Sequence, residues 1–510
     1  MTTSIWQQVQ LPAFKPLDKD LQVDVCIVGG GIAGLTSAYH LLKAGKSVAI
    51  IDKEALGKGQ TSRTTAHLTW MLDDRYFDLE KIFGEEGAKL ALESHAKAVD
   101  TIEKIVADEK IDCDFERLSG YLFLAPEDKP QVLEDEFNTI QKFGTEIKKH
   151  SSTPLGEAFK DVRCLEAPHQ GECHIHKYLK GLIGAIVKMG GKIYTETKVI
   201  DVKDGTPCIV KIENDKQISS SAVIVATCTP INDRFYIHTK QAAYRTYVVA
   251  GLIPKNSAPK GIFWDTPDPY HYIRTLKDEQ YPDQLWLLIG GEDHKVGQEK
   301  DCEQCFEILK SWANKHFPQL KEVQYHWSGQ VFEPVDSLAF IGKNPGDSHI
   351  YICTGDSGNG ITHGTIAGIL IPDLILGRSN RWKELYEPSR KSLSTLKNYL
   401  EENSNAVWQF TDWLTPGEKK QIEDMQNEEG VIIRDGIHKI AVFKDAQGTV
   451  HFRSAFCPHL GGCVQWNNAE KSWDCPVHGS RFDGTGKSLV GPAVSNLSSC
   501  QNSAGCQPKP

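Results

Sequence analysis

Two short segments late in the chain, Cys457-Pro458-His459 and Cys475-Pro476-Val477-His478, each carry one thiol and one imidazole, with fifteen residues between them. Four such side chains in two loops form a metal-ligand set. Holding them to one centre forces the surrounding polypeptide to fold as a compact unit. Residues 430–434, 439–443 and 450–456 are short alternating apolar runs, and Asp445-Ala446-Gln447-Gly448 supplies turn residues between the last two. The C-terminal unit is therefore expected to be all-β.

Zinc accepts the same pair of thiols and imidazoles, but zinc fingers keep a Cys pair ahead of a His pair, whereas each loop here contributes one of each. The pattern resembles that of Rieske proteins, in which two thiolates hold one iron of a [2Fe–2S] cluster and two imidazoles hold the other. The resemblance implies Cys457, His459, Cys475 and His478 as cluster ligands. Neutral imidazoles make such a cluster accept an electron more readily than a four-cysteine cluster does. The likeness continues through Gly479-Ser480-Arg481-Phe482, where Ser480 is the candidate donor to cluster sulfur. Rieske proteins of respiratory cytochrome complexes carry one further Cys in each loop, joined as a disulfide. Here the second position is Val477, so Cys463, shifted by the extra Gly462, has no such partner. Phe482 replaces the Tyr of those high-potential proteins, and a potential below the top of the Rieske range is expected.

Far upstream, residues 24–28 form an apolar, mostly β-branched run that ends in Gly29-Gly30-Gly31. A helix is expected over 32–43, closed by Gly45, and a second strand over 47–51, ending at Asp52. Gly29, Gly31 and Gly34 thus form G-x-G-x-x-G between a strand and a helix, and Asp52 lies eighteen residues beyond Gly34. The glycines let a pyrophosphate approach the helix N-terminus, and the carboxylate suits a ribose hydroxyl, so this βαβ unit reads as a dinucleotide site. Strands expected at 223–226, 285–290 and 349–353 extend it into an α/β domain with an inserted β-rich domain.

Further stretches join the glycine motif: Thr61-Ser62-Arg63-Thr64-Thr65-Ala66-His67, Val225-Ala226-Thr227, Trp327-Ser328-Gly329-Gln330, and a glycine-rich run from Thr354 to Gly364. With them, residues 23–390 resemble the D-amino acid oxidase, glycine oxidase and sarcosine oxidase superfamily. The whole chain looks like bacterial flavin oxidoreductases with a fused C-terminal Rieske domain. The resemblance implies FAD, contacted by Gly29, Gly31, Gly34, Asp52 and Lys53, then by Thr61, Ser62, Arg63 and Thr64. A later loop, with Gly355, Gly358, Asn359, Gly360 and Thr362, would lie against the flavin ring.

Family chemistry is oxidation of a C–N bond, and three residues are its candidate catalytic groups. On a strand, residues 270, 272 and 274 share a face, so Arg274 could clamp a substrate carboxylate with Tyr272 beside it; an ordinary surface ion pair is the alternative. His363 is the third, next to a flavin-contact run, as is His67, while His174 and His176 are expected to alternate on a strand. The family's oxygen-activating lysine falls on Leu288. Its flavin-tethering cysteine falls on Gly329, implying noncovalent FAD, and a carboxylate-binding lysine falls on Thr362, which favours an amine over an amino acid.

A chain of 510 residues exceeds one ordinary core. The expected fold class is α/β plus all-β: a Rossmann-like FAD-binding domain with an interleaved β-rich substrate domain, then an all-β Rieske domain. Residues 1–390 form the oxidoreductase, with FAD-binding segments near 20–100, 165–230 and 335–390 and substrate segments near 100–165 and 230–335. A connector covers 391–412, the Rieske domain 413–497 and a flexible tail 498–510. Net charge is −10 without a basic run, which argues against nucleic acid as a partner. Residues 1–16 lack an apolar signal core, and the longest apolar run, 364–376, is short and holds Pro372; no transmembrane segment and a cytoplasmic location are expected. Fourteen cysteines without a secretion signal suggest thiols plus a metal site rather than a disulfide framework; Cys302 and Cys305 read as core residues of a helix, and Cys500 and Cys506 receive no role.

These features lead to an enzyme that oxidises an amine or amino acid at FAD and passes electrons to the cluster, then to a soluble carrier such as a ferredoxin. Reversed flow from a ferredoxin-like donor, and a non-enzymatic redox carrier or sensor, are the rival readings. The substrate itself is not readable, because distant segments assemble its pocket.

Overall fold

The computed structural model of the protein describes residues 2–232, 236–391, 396–409, 422–435 and 438–500. Its first sheet has eight strands. The order is Phe340–Lys343, Ile350–Thr354, Gln217–Val225, Leu21–Val28, Val48–Ile51 and Lys192–Tyr194, with Val199–Lys203 and Cys208–Ile212 added as a hairpin. The strands from Ile350–Thr354 to Lys192–Tyr194 run parallel. Parallel strands are covered on both faces, which is why Val48–Ile51 is buried at every position. Helix Ile32–Lys43 packs against helix Gly360–Ile375. A Cβ on Gly364 would lie 2.6 Å from Ile32 Cγ2 and one on Gly368 2.4 Å from Thr36 Cγ2, so only glycine permits this approach.

The second sheet has nine strands in the order Tyr325–Pro334, Gln241–Pro254, Gln284–Lys295, Tyr272–Leu276, Ile262–Asp265, Glu116–Phe123, Cys164–Glu172 and His67–Leu68, with Lys148–His150 on Cys164–Glu172. Two of these strands depart from the expected division, which put them in dinucleotide segments. Cys164–Glu172 pairs along its length with Glu116–Phe123, and Leu68 pairs with Gly171, so hydrogen-bonded pairing assigns both to the second sheet. The expected strand at His174 and His176 is also corrected. The strand ends at Glu172, and His174 caps helix Ile175–Lys188 by accepting from the Lys177 N–H at 3.4 Å. Ile175, Tyr178, Leu179, Leu182, Ile183 and Ile186 are all buried, a helical spacing that overrides the alternation of two histidines.

The C-terminal unit is a three-stranded antiparallel sheet, Glu429–Asp435, His438–Lys444 and Val450–Ser454, beside a four-stranded one, Gln465–Asn467, Ser472–Asp474, Arg481–Asp483 and Ser488–Val490. At the turn, Asp445 accepts from the N–H groups of Gln447 and Thr449 and Gly448 takes a φ of 82°. Helix Leu396–Gln409 occupies part of the connector; residues 392–395 and 410–421 lie outside the described residues. The first residues of the expected tail are packed: Ser499 pairs with Arg453, and the disulfide-bonded Cys500 is buried beside Val431, Ile440 and Val442. Cys506 and the rest of 501–510 lie outside the described residues. Cys302 and Cys305 are buried with Phe306 and Leu309 in a hydrophobic core. No helix among the described residues is long and apolar enough to cross a membrane.

Candidate active site and cluster centre

One cavity opens where the parallel strands end, bounded by both large sheets and by the C-terminal unit. On the first sheet, Gly29 has a φ of 110°, and a Cβ there would stand 2.3 Å from Ala226 O. Gly30 N–H donates to Asp52 Oδ2 at 2.8 Å, and Ile32 N–H donates to Thr61 Oγ1 at 3.2 Å. A helix N-terminus and a carboxylate at the cavity wall fit the pyrophosphate and ribose of FAD. Gly29, Gly31, Asp52, Lys53, Thr61, Ser62, Arg63 and Thr64 all line this cavity, as do Gly358, Asn359, Gly360 and His363.

Three expected cofactor contacts lie behind the wall. Gly34 packs under the turn, where a Cβ would meet Gly29 O at 2.0 Å. Gly355 abuts Pro334 and Gln241. The Thr362 hydroxyl turns to His95 Nδ1 at 2.8 Å.

Tyr270, Tyr272, Trp264, Asp73 and Asp293 line the same cavity. Tyr270 donates to Asp73 Oδ2 at 2.6 Å, and the Tyr272 and Thr246 hydroxyls meet at 2.6 Å. Burial pushes Asp73 and Asp293 up to about 7 and Asp356 to about 6, while it pulls His67 down to about 3 and His363 to about 4. Both histidines are therefore neutral at ordinary pH. The carboxylate clamp expected at Arg274 is corrected. Arg274 is 1% exposed, its Nη1 donates to the carbonyls of Thr65, Ala66 and Cys173, and its Nη2 lies 3.3 Å from Glu172. The alternation that puts Tyr270 and Tyr272 at the cavity is lost at 274, because the guanidinium is drawn into this ring of carbonyls. His174 and His176 also stay outside the cavity; His176 holds the Ser62 hydroxyl at 2.6 Å. The acids were missed by sequence reasoning, although the pair Asp73-Asp74 directly after the largely apolar 68–72 was a visible signal.

The two cluster loops are built alike. Cys457 N–H donates to Gly462 O and Gly461 N–H returns to Cys457 O, both at 2.8 Å. Cys475 N–H donates to Ser480 O at 2.8 Å and Gly479 N–H returns to Cys475 O at 3.0 Å. Gly461 and Gly479, each four residues past its Cys, take φ values of 80° and 75°. This brings the His459 and His478 rings to 5.1 Å and the Cys457 and Cys475 thiols to hydrogen-bonding distance. The Ser480 hydroxyl bonds Cys457 and accepts from Ala493 N–H at 3.0 Å. A Cβ on Gly462 would stand 3.0 Å from Cys475 Sγ and 2.5 Å from Val477, so the close approach of the two loops requires glycine here.

The centre docks directly on the flavin portion. The buried His238 ring lies 5.0 Å from His459 and 5.8 Å from His478, and its Nδ1 meets Thr229 Oγ1 at 3.3 Å. Gln330 donates to Gly479 O at 2.8 Å, and Lys53 donates to Leu489 O at 2.6 Å. Ser488, Leu489, Val490, Gly491, Ala493 and Val494 of the C-terminal unit complete the cavity wall. A buried ionic network locks the contact. Arg63 and Arg245 of the large domain face Glu470 and Asp474, with Arg481 on Asp474 at 2.9 Å and Ser328 on Glu470.

Comparison with known proteins agrees with this architecture. Residues 24–374 match the family model of FAD dependent oxidoreductases, and residues 413–501 match that of the Rieske [2Fe-2S] domain. The Bacillus subtilis protein YhfW, named for a Rieske 2Fe-2S centre, is 31% identical over 96% of this chain and 95% of its own length. Gamma-glutamylputrescine oxidoreductase of Escherichia coli is 27% identical over 72% of this chain and 87% of that protein. The crystal structure of glycine oxidase from Geobacillus kaustophilus superposes with a TM-score of 0.61 at 19% identity, covering 73% of this chain and 99% of that one. The chain thus belongs to the FAD dependent oxidoreductase family and carries, fused to that flavoenzyme fold, a Rieske [2Fe–2S] domain.

Proposed function

We propose that the protein oxidises the C–N bond of an amine or amino acid at FAD and delivers the electrons through its own cluster to an external carrier such as a ferredoxin. The observation that carries this reading is the shared wall: one cavity is lined by the dinucleotide turn and by the Rieske domain, and His238 of the flavin portion lies against both imidazole ligands of the cluster. FAD, when bound, accepts a hydride from the carbon beside the nitrogen, and a Rieske cluster takes up single electrons.

The chain's residues supply the rest. Tyr272 and Tyr270 position the substrate, and Asp73, with a pKa near neutrality, is suited to take the proton of a substrate ammonium. Trp264 and Met71 exclude water from the same cavity. Buried Leu288 stands where oxygen-using relatives are expected to carry a lysine, which favours the cluster as acceptor. Twelve of the thirteen cysteines among the described residues form no disulfide, Cys500 being the exception, which suits a reducing cytoplasm.

The test is anaerobic mixing with a panel of amines and D- and L-amino acids, following flavin bleaching and the EPR signal of the reduced cluster. Bleaching followed by the cluster signal is expected, and silence toward the whole panel would refute the reading. His238→Phe should delay the cluster signal relative to bleaching.

A further inference from the structure

Where Tyr270, Tyr272 and Trp264 bound the cavity, no cation among the described residues forms an ion pair with Asp73 or Asp293; Arg75, whose charge reaches Asp73, gives its N–H groups to the carbonyls of Leu72 and Asp265. Asp73 accepts from Tyr270. Asp293 is bonded by Thr246, yet its Oδ1, shielded from solvent, has no hydrogen-bond partner. Asp74 and Glu333 lie close by and both contact the single Ser357 hydroxyl, which has one hydrogen to give. The cations that line the cavity are engaged elsewhere. Lys53 is on the carbonyls of Ser488 and Leu489, Arg63 on Ser328 O and Glu470, and Lys198 on Glu213. Arg274 is enclosed by carbonyls, and the two cavity histidines, His67 and His363, are neutral. A carboxylate entering this field meets like charge without a counter-ion; an ammonium meets the opposite.

The aromatic walls add a second, independent preference. Trp264, Tyr270 and Tyr272 present ring surface to the cavity, the environment that stabilises a desolvated cation through the ring quadrupole. Trp264 is 4% exposed, and its buried Nε1 has no hydrogen-bond partner.

We propose that the cavity takes a cationic alkylamine that lacks a carboxylate beside the reacting nitrogen, its ammonium held by Asp293 and Asp73 among Tyr270, Tyr272 and Trp264. This rests on the cavity being the substrate site of the oxidation proposed above, and narrows it from amines and amino acids to amines.

Three probes without a C–H next to nitrogen separate binding from turnover: tert-butylamine, α-aminoisobutyrate, which exchanges one methyl for a carboxylate, and pivalate. Each is titrated by calorimetry into the flavin- and cluster-loaded protein. The amine should bind at least about 10-fold more tightly than either carboxylate. Asp293→Asn should weaken the amine by roughly 10- to 100-fold, the loss expected for one charge-assisted hydrogen bond. Asp73→Asn is the second variant, and retained flavin and cluster spectra establish that each variant is folded. Equal or tighter binding of α-aminoisobutyrate or pivalate, no binding of any probe, or an unchanged amine affinity in both folded variants would overturn the proposal. Failure of oxidisable amines and amino acids to bleach the flavin would instead refute the oxidation, and the probe affinities would still decide the site.

Discussion

Glu470 and Asp474, at the domain contact, and Asp73 and Asp293, in the cavity, are carboxylates sheltered from bulk water by the same fold, yet they sit in opposite fields. Burial alone would raise Glu470, but Arg63, Arg245 and Arg481 hold it down at about 2. Burial does raise Asp73 and Asp293, to about 7, because Tyr270 and Thr246 offer hydroxyls rather than charge. The matched pair fastens two domains; the unmatched pair stores an affinity for positive charge. Shelter from water by itself thus says little about a carboxylate's role, and the neighbouring cations decide it.

The largest effect should come from unmatching the matched pair. Glu470→Ala takes the carboxylate from the buried Arg63 and should cost about 3–5 kcal/mol, read as a lower thermal midpoint and release of the Rieske domain to proteolysis. Asp73→Asn should act with the opposite sign. An acid raised in the folded state costs stability as pH climbs from its ordinary 3.8 to about 7, so the amide should stabilise the protein by roughly 1–3 kcal/mol at pH 8 and have little effect near pH 4. In the native chain the depressed Glu470 contributes fully above its ordinary 4.5 and loses that contribution as pH falls toward about 2. Acid titration should therefore undock the Rieske domain in that window and not near neutrality. The smallest effect is expected at an exposed pair, Lys277 with Glu116, both more than half exposed: Lys277→Ala should shift stability by no more than about 1 kcal/mol.

What could be read from the chain alone follows the same division. The four cluster ligands, the glycine turn and helix Ile32–Lys43 are local motifs whose spacing dictates their geometry. Arg274 and the histidines at 174 and 176 were misplaced because alternation names a face without naming what waits there. For Arg274 it was a ring of carbonyls, and for His174 the start of a helix. The acidic end of the cavity draws Asp73, Asp293 and Asp356 from segments more than sixty residues apart, and the docking network draws Arg63, Arg245, Glu470 and Asp474 from three. Only the folded sheets bring such groups together, so no local pattern announces them.

The wall contributed by residues 488–494 also bears on how the molecule is made. Synthesis runs from Gly29 toward Leu489, so the turn that receives FAD leaves the ribosome more than four hundred residues before the strand that closes over it. Until that strand is in place, the nascent oxidoreductase holds an open cleft. The dinucleotide cavity of this chain is therefore walled in full only once the iron–sulfur domain has docked.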